Sequence, residues 1–225
     1  TVDFNPGAPI FNLNSAGQTD LFISKLDNDG NFVSALKFGG TNFDLPGQMA
    51  IDAMNEIYCT GYFRGTSDFD PGPGNFNLNS AGGDDIFIVK LDAASNFSWA
   101  NRFGGTGDDG GTAVMKDASG NILLSGYFEN TIDLDPGVGV SDFTSSGLAD
   151  FFILKLTATG DYAWARTVGG GGDDISQDIF VDGDDQVYIA GSFNQTVDFD
   201  PGPGTFTISS LGLLDIFVLK LTPVG

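Results

Sequence analysis

The sequence predicts an all-β fold, a β-propeller or a propeller segment built from four-stranded antiparallel blades with a 65-residue repeat. Three observations lead to this prediction. A motif recurs every 65 residues without insertion or deletion, and its copies begin at Thr1, Thr66, Thr131 and Thr196. The 33 glycines and 21 phenylalanines favour tight turns between apolar strands over helices. Several short runs, such as 86–91, are apolar at nearly every position, which is typical of strands buried on both faces.

Each repeat is expected to contain four strands in a fixed order. In one repeat these strands are 112–117, 121–128, 151–156 and 162–167. Short turns at 118–120 and 158–160 join the first strand to the second and the third to the fourth. A long loop containing Asp-Pro-Gly joins the second strand to the third, and Gly169-Gly170 leads to the next repeat.

We expect one repeat domain over residues 1–225. The end of the second strand through the fourth strand of a first blade occupies 1–40, two repeats occupy 41–105 and 106–170, and a partial repeat occupies 171–225. The chain holds four expected third strands but three of each other type. The blades therefore form either a four-bladed ring with an overlap or part of a larger ring. We favour the second arrangement, and the lack of an initiator Met predicts a segment of a longer chain.

The order of motifs resembles the bacterial beta-propeller repeat family known as SBBP. The residues that carry the resemblance are 85–91, Trp99, Gly104-Gly105, 117–121 and Gly126, with their counterparts 150–156, Trp164, Gly169-Gly170, 182–186 and Gly191. The chain departs from the pattern at Ser34, where the other copies have Trp, and in its longer Asp-Pro-Gly loop. The resemblance implies a large secreted or surface-attached bacterial protein, often of Bacteroidota and exported by the type IX route. It implies no catalytic residue set.

Charge and composition exclude several classes of function. The formal net charge is −21, and nine Lys and Arg residues are too few for a phosphate-neutralising face, so we expect no nucleic acid partner. No apolar run approaches the length of a membrane span, so we expect no membrane insertion. The absence of His excludes Ser-His-Asp and Cys-His catalysis and His-ligated metals. Cys59 is the only cysteine, so no internal disulfide forms.

The acidic residues suggest calcium. Apart from Glu56 and Glu129 they are all Asp, a residue typical of turns and of hard-cation sites. In a propeller the loops joining strands two to three and four to one open on one face, which places each Asp-Pro-Gly loop beside Asp44, Asp109 or Asp174. We therefore expect one Ca²⁺ per repeat. Its candidate ligands are Asp3, Asn5, Asp68, Asp70, Asp133, Asp135, Asp198 and Asp200, with backbone oxygens. The alternative is that these residues only cap turns that Pro-Gly completes.

Two further motifs are interpreted as structural. Residues 27–31 resemble the start of an EF-hand loop, but Phe38 stands where a bidentate Glu is required, so this stretch is expected to be a turn. Trp99 and Trp164 could stack on sugars, but their recurrence at one strand position favours packing between blades.

We therefore expect a non-catalytic extracellular or cell-surface repeat or adhesion module, which presents a rigid acidic face to a protein or glycan partner. One alternative is a propeller hydrolase or lyase with a carboxylate site near the ring axis. Another is a cargo that engages secretion machinery and has no ligand of its own.

Overall fold

The apolar runs of each repeat form strands, and stretches rich in Gly, Asp and Asn turn the chain between them. In the computed structural model, which describes residues 1–223, strands hold 61% of the chain and no described residue is helical. Within that range there is accordingly no helix with the length and apolarity needed to cross a membrane. In chain order the strands are β1 (Val2–Asp3), β2 (Asn12–Leu13), β3 (Leu21–Leu26), β4 (Phe32–Gly40), β5 (Asp44–Ile51), β6 (Ile57–Asp68), β7 (Asn77–Leu91), β8 (Phe97–Gly105), β9 (Gly110–Lys116), β10 (Ile122–Asp133), β11 (Asp142–Leu156), β12 (Tyr162–Gly170), β13 (Ile175–Val181), β14 (Val187–Phe193), β15 (Thr196–Asp198), β16 (Thr207–Ser209) and β17 (Asp215–Leu221).

Two complete blades form the middle of the protein. In one, the order is β5-β6-β7-β8, and every neighbouring pair is antiparallel. In the other, the order is β9-β10-β11-β12, again antiparallel throughout. The predicted four-stranded antiparallel blade is therefore confirmed, and the protein is a β-propeller segment.

Incomplete blades lie at both ends of the chain. The N-terminal one consists of β3 and β4, and the C-terminal one of β13, β14 and β17. Within residues 1–223, β3 pairs only with β4 and β17 pairs only with β14. In this part of the chain no strand of the first blade pairs with a strand of the last, so residues 1–223 form an open series of blades and not the closed ring with an overlap that the strand count allowed.

The segment expected as a long loop is a two-stranded β-ribbon instead. β6 continues to Asp68 and pairs there with the start of β7, with Thr66 opposite Asn79 and Asp68 opposite Asn77. A register shift between Arg64 and Thr66 separates this extension from the blade. At that shift Gly65 has a φ of 74°, a left-handed conformation that a bulge requires and glycine adopts without strain. We call this hairpin the ribbon; its copies span 2–13, 66–79, 131–144 and 196–209.

The core lies between neighbouring blades. One apolar cluster joins the N-terminal blade to the first complete blade, a second joins the two complete blades, and a third joins the second complete blade to the C-terminal blade. Ile86 and Phe87 point to opposite faces of β7, and both are fully buried. The strands are therefore apolar at successive positions because a neighbouring blade covers each face of the sheet.

Candidate functional site

The Asp residues of the ribbon cap its loop. Asp68 Oδ1 accepts hydrogen bonds from the backbone N–H of Asp70 at 3.0 Å and of Phe76 at 2.8 Å. Asp70 Oδ1 accepts a hydrogen bond from Gly72 N at 2.8 Å. The same bonds recur at the ribbons of Asp133 and Asp135 and of Asp198 and Asp200. In the first copy Asn5 Oδ1 accepts the equivalent bond from Gly7 N at 2.9 Å, so the turn does not need the charge of the second Asp.

The residue between the two Asp residues anchors the ribbon in the core. Phe69 is fully buried, with its ring centroid 5.3 Å from that of Phe63 and 4.9 Å from that of Phe87. Leu134 and Phe199 are buried at the equivalent positions. Successive side chains of the Asp-x-Asp pattern therefore point in opposite directions, as in a strand. The two Asp side chains cap the turn, and the apolar side chain between them enters the core.

The last three ribbons also pair with the blade that precedes them. Asp68 lies opposite Gly39 at the end of β4, and the following two ribbons repeat this pairing with Gly104 and Gly169. The first Asp of each of these motifs thus lies beside the Gly-Gly segment that leads to Asp44, Asp109 or Asp174, as the predicted arrangement of loops requires. The tip of the ribbon lies beside the fourth strand of the preceding blade, since Asp70 lines one cleft with Ser34 and Asp135 lines another with Trp99.

The ribbon is a poor match to a calcium cage. Within residues 1–223 no group of three or more Asp, Glu, Cys or His side chains could hold a metal ion. Each full motif supplies two carboxylates, and one oxygen of each already accepts backbone N–H groups. Ca²⁺ takes six to eight oxygen ligands, so backbone carbonyls and water would have to supply most of them. The role of these residues as turn caps is visible, and their role as calcium ligands stays a prediction.

A second set of carboxylates is buried at the junctions between blades. Asp109 is fully buried; its Oδ2 accepts a hydrogen bond from Gly105 N at 2.8 Å and its Oδ1 accepts one from Glu129 N at 3.1 Å. Burial raises the pKa of Asp109 to about 7, and the nearby charges of Asp85 and Glu129 add to the effect. A proton on Asp109 removes its repulsion with the charges of Asp85 and Glu129.

Asp85 completes the junction from the start of the third strand. Its Oδ2 accepts hydrogen bonds from Ala81 N at 2.9 Å and from Arg102 Nη1 at 2.5 Å, while its buried Oδ1 has no hydrogen-bond partner. Burial raises the pKa of Asp85, and the bond from Arg102 opposes that rise. The equivalent pairs are Asp20 with Asp44 and Asp150 with Asp174. Burial raises the pKa of Asp174 to about 6.

A cleft on the outer rim recurs at successive junctions. One cleft, of about 460 Å³, lies between the two complete blades. The fourth strand of the first complete blade, β8, forms one side, and the ribbon tip of the second complete blade and the turn before β12 form the other. Its lining includes Trp99, Asn101, Asp135, Gly160 and Tyr162. The equivalent cleft one repeat earlier, of about 630 Å³, contains Asp70 and Phe97, with Ser34 in the place of Trp99. The recurring Trp is the sequence feature that indicates this site, although its constant strand position predicted packing between blades.

Trp99 takes part in both packing and the cleft. It is partly buried against the core cluster between the two complete blades. A Cβ on Gly160 would lie 3.1 Å from Cζ2 of Trp99, so the turn of the next blade lies against the indole edge. Asn101 Nδ2 donates a hydrogen bond to Gly160 O at 3.1 Å and holds that turn in place. Trp164 packs against the next core cluster in the same way.

A larger groove of about 650 Å³ lies along the innermost strands β5, β9 and β13. It is lined by Met49, Met54 and Met115, which are the three methionines of the chain. Gln48 crosses it, since its Oε1 accepts a hydrogen bond from Val114 N at 2.9 Å and its Nε2 donates one to Asp178 Oδ1 at 3.2 Å. These methionines do not recur in register, so the repeat pattern contained no signal for the groove.

The remaining candidates are structural. Asp27 Oδ1 accepts hydrogen bonds from Asp29 N at 2.9 Å and Asn31 N at 2.8 Å, and the bonds from Asn31 lower its pKa. The EF-hand-like stretch is therefore a capped turn. Burial raises the pKa of Cys59 to about 12, so its thiol is protonated at neutral pH and is a poor nucleophile.

Comparisons with known proteins agree with the propeller architecture. The chain is 24% identical over 233 residues to an uncharacterized WD repeat-containing protein, L264, of Acanthamoeba polyphaga mimivirus, covering 89% of this chain and 16% of that protein. It is 25% identical over 182 residues to the regulatory protein FlaEY of Caulobacter vibrioides, covering 79% of this chain and 18% of that protein. The chain thus spans less than a fifth of the length of these relatives. No protein-family model matches it, and the resemblance to the SBBP family stays a prediction.

Proposed function

We propose that this chain is a non-catalytic repeat module of an extracellular surface protein, and that it binds a glycan in the clefts on its outer rim. The observation that carries the proposal is the recurrence of the cleft at two successive blade junctions. Both clefts contain an aromatic side chain and a carboxylate. A repeated cleft suits a repeated ligand, because weak sites in a row gain affinity by acting together.

The chemistry of the second cleft suits a sugar. Trp99 and Tyr162 offer aromatic surface to the apolar face of a pyranose ring, and Asp135 offers a carboxylate to its hydroxyl groups. The Tyr162 hydroxyl accepts a hydrogen bond from Ser141 Oγ at 2.8 Å, which fixes the orientation of the ring. A lining of aromatic side chains with a few fixed polar groups is the usual composition of a small-molecule site.

The buried carboxylates support a non-catalytic role. A general acid or base must reach its substrate, but Asp85 and Asp109 have no exposed surface and bond to the backbone around them. The names of the two relatives describe a repeat protein and a regulatory protein, and neither names a reaction. The extracellular location and export by a secretion machinery rest on the resemblance to the SBBP family.

A glycan array followed by calorimetry tests this proposal. D135N removes the charge in the cleft of Trp99 but keeps the turn, because Asn5 fills the same role in the first copy. D184N is the matched control, because Asp184 is exposed in a turn that lines neither cleft and its replacement removes the same formal charge. For a glycan selected from the array, we expect D135N to weaken binding about tenfold or more, or about 1.4 kcal/mol, and D184N to leave it unchanged. The absence of any retained glycan, or equal effects of the two variants, would overturn the assignment.

A further inference from the structure

A lysine, an aspartate and an asparagine meet at one end of the second complete blade. Asp117 follows β9, Asn121 precedes β10, and Lys155 lies in β11. Asp117 Oδ2 accepts a hydrogen bond from Asn121 Nδ2 at 2.9 Å and lies 2.8 Å from Lys155 Nζ. The amine of Lys155 and the amide of Asn121 therefore lie against the same carboxylate oxygen. We call these three residues the Lys-Asp-Asn triad.

The blade buries this triad and holds it in place. The side chain of Asp117 has no exposed surface, and that of Lys155 is 12% exposed. Asp117 Oδ1 accepts a hydrogen bond from the backbone N–H of Asn121 at 2.8 Å, which fixes the carboxylate. Lys155 pairs across the sheet with Leu123, which is fully buried. An amine and an amide held in this way can react within one molecule, because their positions are already fixed.

The equivalent sites in the neighbouring repeats have other contacts. One repeat earlier, Glu56 stands in the place of Asn121, and its Oε2 lies 2.8 Å from Lys90 Nζ. This is an ion pair, and a carboxylate is not an electrophile for an amine. One repeat later, Gln186 stands there, and its Nε2 donates a hydrogen bond to Asp184 O at 3.4 Å.

The hydrogen bond from Asn to Asp is, by itself, a turn cap in this chain. Asn31 Nδ2 donates to Asp27 Oδ2 and Asn96 Nδ2 donates to Asp92 Oδ2, each at 3.0 Å, in two exposed turns. Among residues 1–223 no lysine forms an ion pair with Asp27 or Asp92. The lysine is therefore the feature that distinguishes the triad from a turn cap.

We propose that Lys155 and Asn121 become joined by an isopeptide bond that forms in the folded blade, with Asp117 as the proton carrier. The resting pair is ionised: burial favours the neutral form of Asp117, but the hydrogen bonds from Lys155 and Asn121 outweigh burial and lower its pKa. Transfer of one proton from Nζ to Oδ2 across the 2.8 Å contact gives the neutral amine, which is the nucleophilic form of lysine. The bond is independent of the proposed glycan binding.

The reaction balances without a cofactor or an oxidant. Nζ of Lys155 attacks Cγ of Asn121, and a C–N bond forms. Asp117 gives its proton to Nδ2, and the bond between Cγ and Nδ2 breaks. The leaving nitrogen takes up both protons that Nζ loses and departs as ammonium, so Asp117 is again a carboxylate. The product is an amide bond that ties β10 to β11.

Tryptic peptide mapping of the native protein tests this bond. Trypsin cuts after a free lysine, so an unmodified chain gives the separate peptides 117–155 and 156–166. The bond blocks cleavage at Lys155 and leaves one peptide, 117–166. That peptide should be lighter than its sequence requires by the mass of ammonia, about 17 Da. K155R keeps a positive charge beside Asp117 but lacks the reactive amine, so it should give the two separate peptides at full mass. K90R is the matched control and should keep the bond, because Lys90 has the equivalent position one repeat earlier.

The decisive measurement needs no variant. Separate peptides of full mass from the folded wild-type protein would overturn the proposal. A mass loss that persists in K155R would also overturn it, because Asn121 would then have lost ammonia by cyclising on its own backbone. D117N keeps an oxygen for the N–H of Asn121 but cannot carry a proton, so mapping at intervals after synthesis should show the bond forming about a hundredfold more slowly or not at all. An unchanged rate in folded D117N would overturn the role assigned to Asp117.

Discussion

Replacing Asp109 by Asn should remove a pH dependence of stability that this buried carboxyl group creates. Asp109 has no exposed surface, and its two oxygens accept hydrogen bonds from Gly105 N at 2.8 Å and Glu129 N at 3.1 Å. Asn has nearly the same shape and keeps one oxygen for these amides, but it cannot ionise. The variant therefore separates the charge of the side chain from its place in the fold.

The size of the effect follows from the pKa. Burial raises the pKa of Asp109 from 3.8 to about 7, so between these pH values the folded protein binds more protons than the unfolded chain. The free energy of unfolding then falls as the pH rises through this window. One pKa unit corresponds to about 1.4 kcal/mol, which gives about 4 kcal/mol over the whole window. Asp174, whose pKa burial raises to about 6, acts in the same direction.

Urea unfolding at several pH values measures this effect. Between about pH 5 and about pH 8 the wild type should lose about 3 kcal/mol of stability that D109N retains. D184N is the control, because Asp184 is exposed in a turn and its replacement removes the same formal charge. Its stability curve should run parallel to that of the wild type. If the D109N curve is also parallel, the carboxyl group titrates in the native state much as it does in the unfolded chain, and the reasoning fails.

Further predictions concern the ribbon. Phe69→Ala should lower the free energy of unfolding, measured with urea, by about 3–5 kcal/mol because the ring is fully buried. Phe76→Ala should cost clearly less, since Phe76 is 37% exposed on the same ribbon, and equal losses would contradict the anchor role. Asp68→Ala should lower the free energy of unfolding by about 1–3 kcal/mol because two backbone N–H groups lose their acceptor. Asp70→Asn should keep the cap and change this free energy little. A loss above about 0.5 kcal/mol in Asp70→Asn would argue against simple capping. If the ribbons bind Ca²⁺, the melting midpoint should be higher in calcium than in chelator and the difference smaller in Asp70→Asn; an unchanged midpoint removes the calcium hypothesis.

The sequence predicted the fold correctly where a short sequence pattern recurs in every repeat. The 65-residue spacing and the apolar runs predicted the blades, and the strands of the second complete blade begin within two residues of their expected starts apart from β11. β11 begins at Asp142, far ahead of the expected 151, because it includes the returning strand of the ribbon. That strand pairs with only three residues of β10, too few for a periodic signal. Its Pro-Gly tip is typical of a loop.

The candidate sites were harder to predict because they depend on neighbouring blades. Asp85 recurs in every repeat beside apolar residues, but Asp is normally exposed, so recurrence alone did not indicate burial. The position of Gly104 offered a signal, since a Cβ there would lie 2.4 Å from Cγ of Asp85. A glycine kept at that spacing indicates that another group approaches the backbone closely. The inner groove joins Met49 and Met115 from different repeats, and no local pattern connects them.

The pairing of each ribbon with the preceding blade has a consequence for how such an array changes in length. Removing residues 66–130 would join Gly65 to Thr131. The ribbon starting there would pair with Gly39 and Gly40 in the register that the ribbon of residues 66–79 has now. The new junction would place Phe152 where Phe87 was, so its core would again be built from the same residue types. Recombination between repeats can therefore add or delete one whole period at a time, because each new interface is formed by equivalent positions of different repeats.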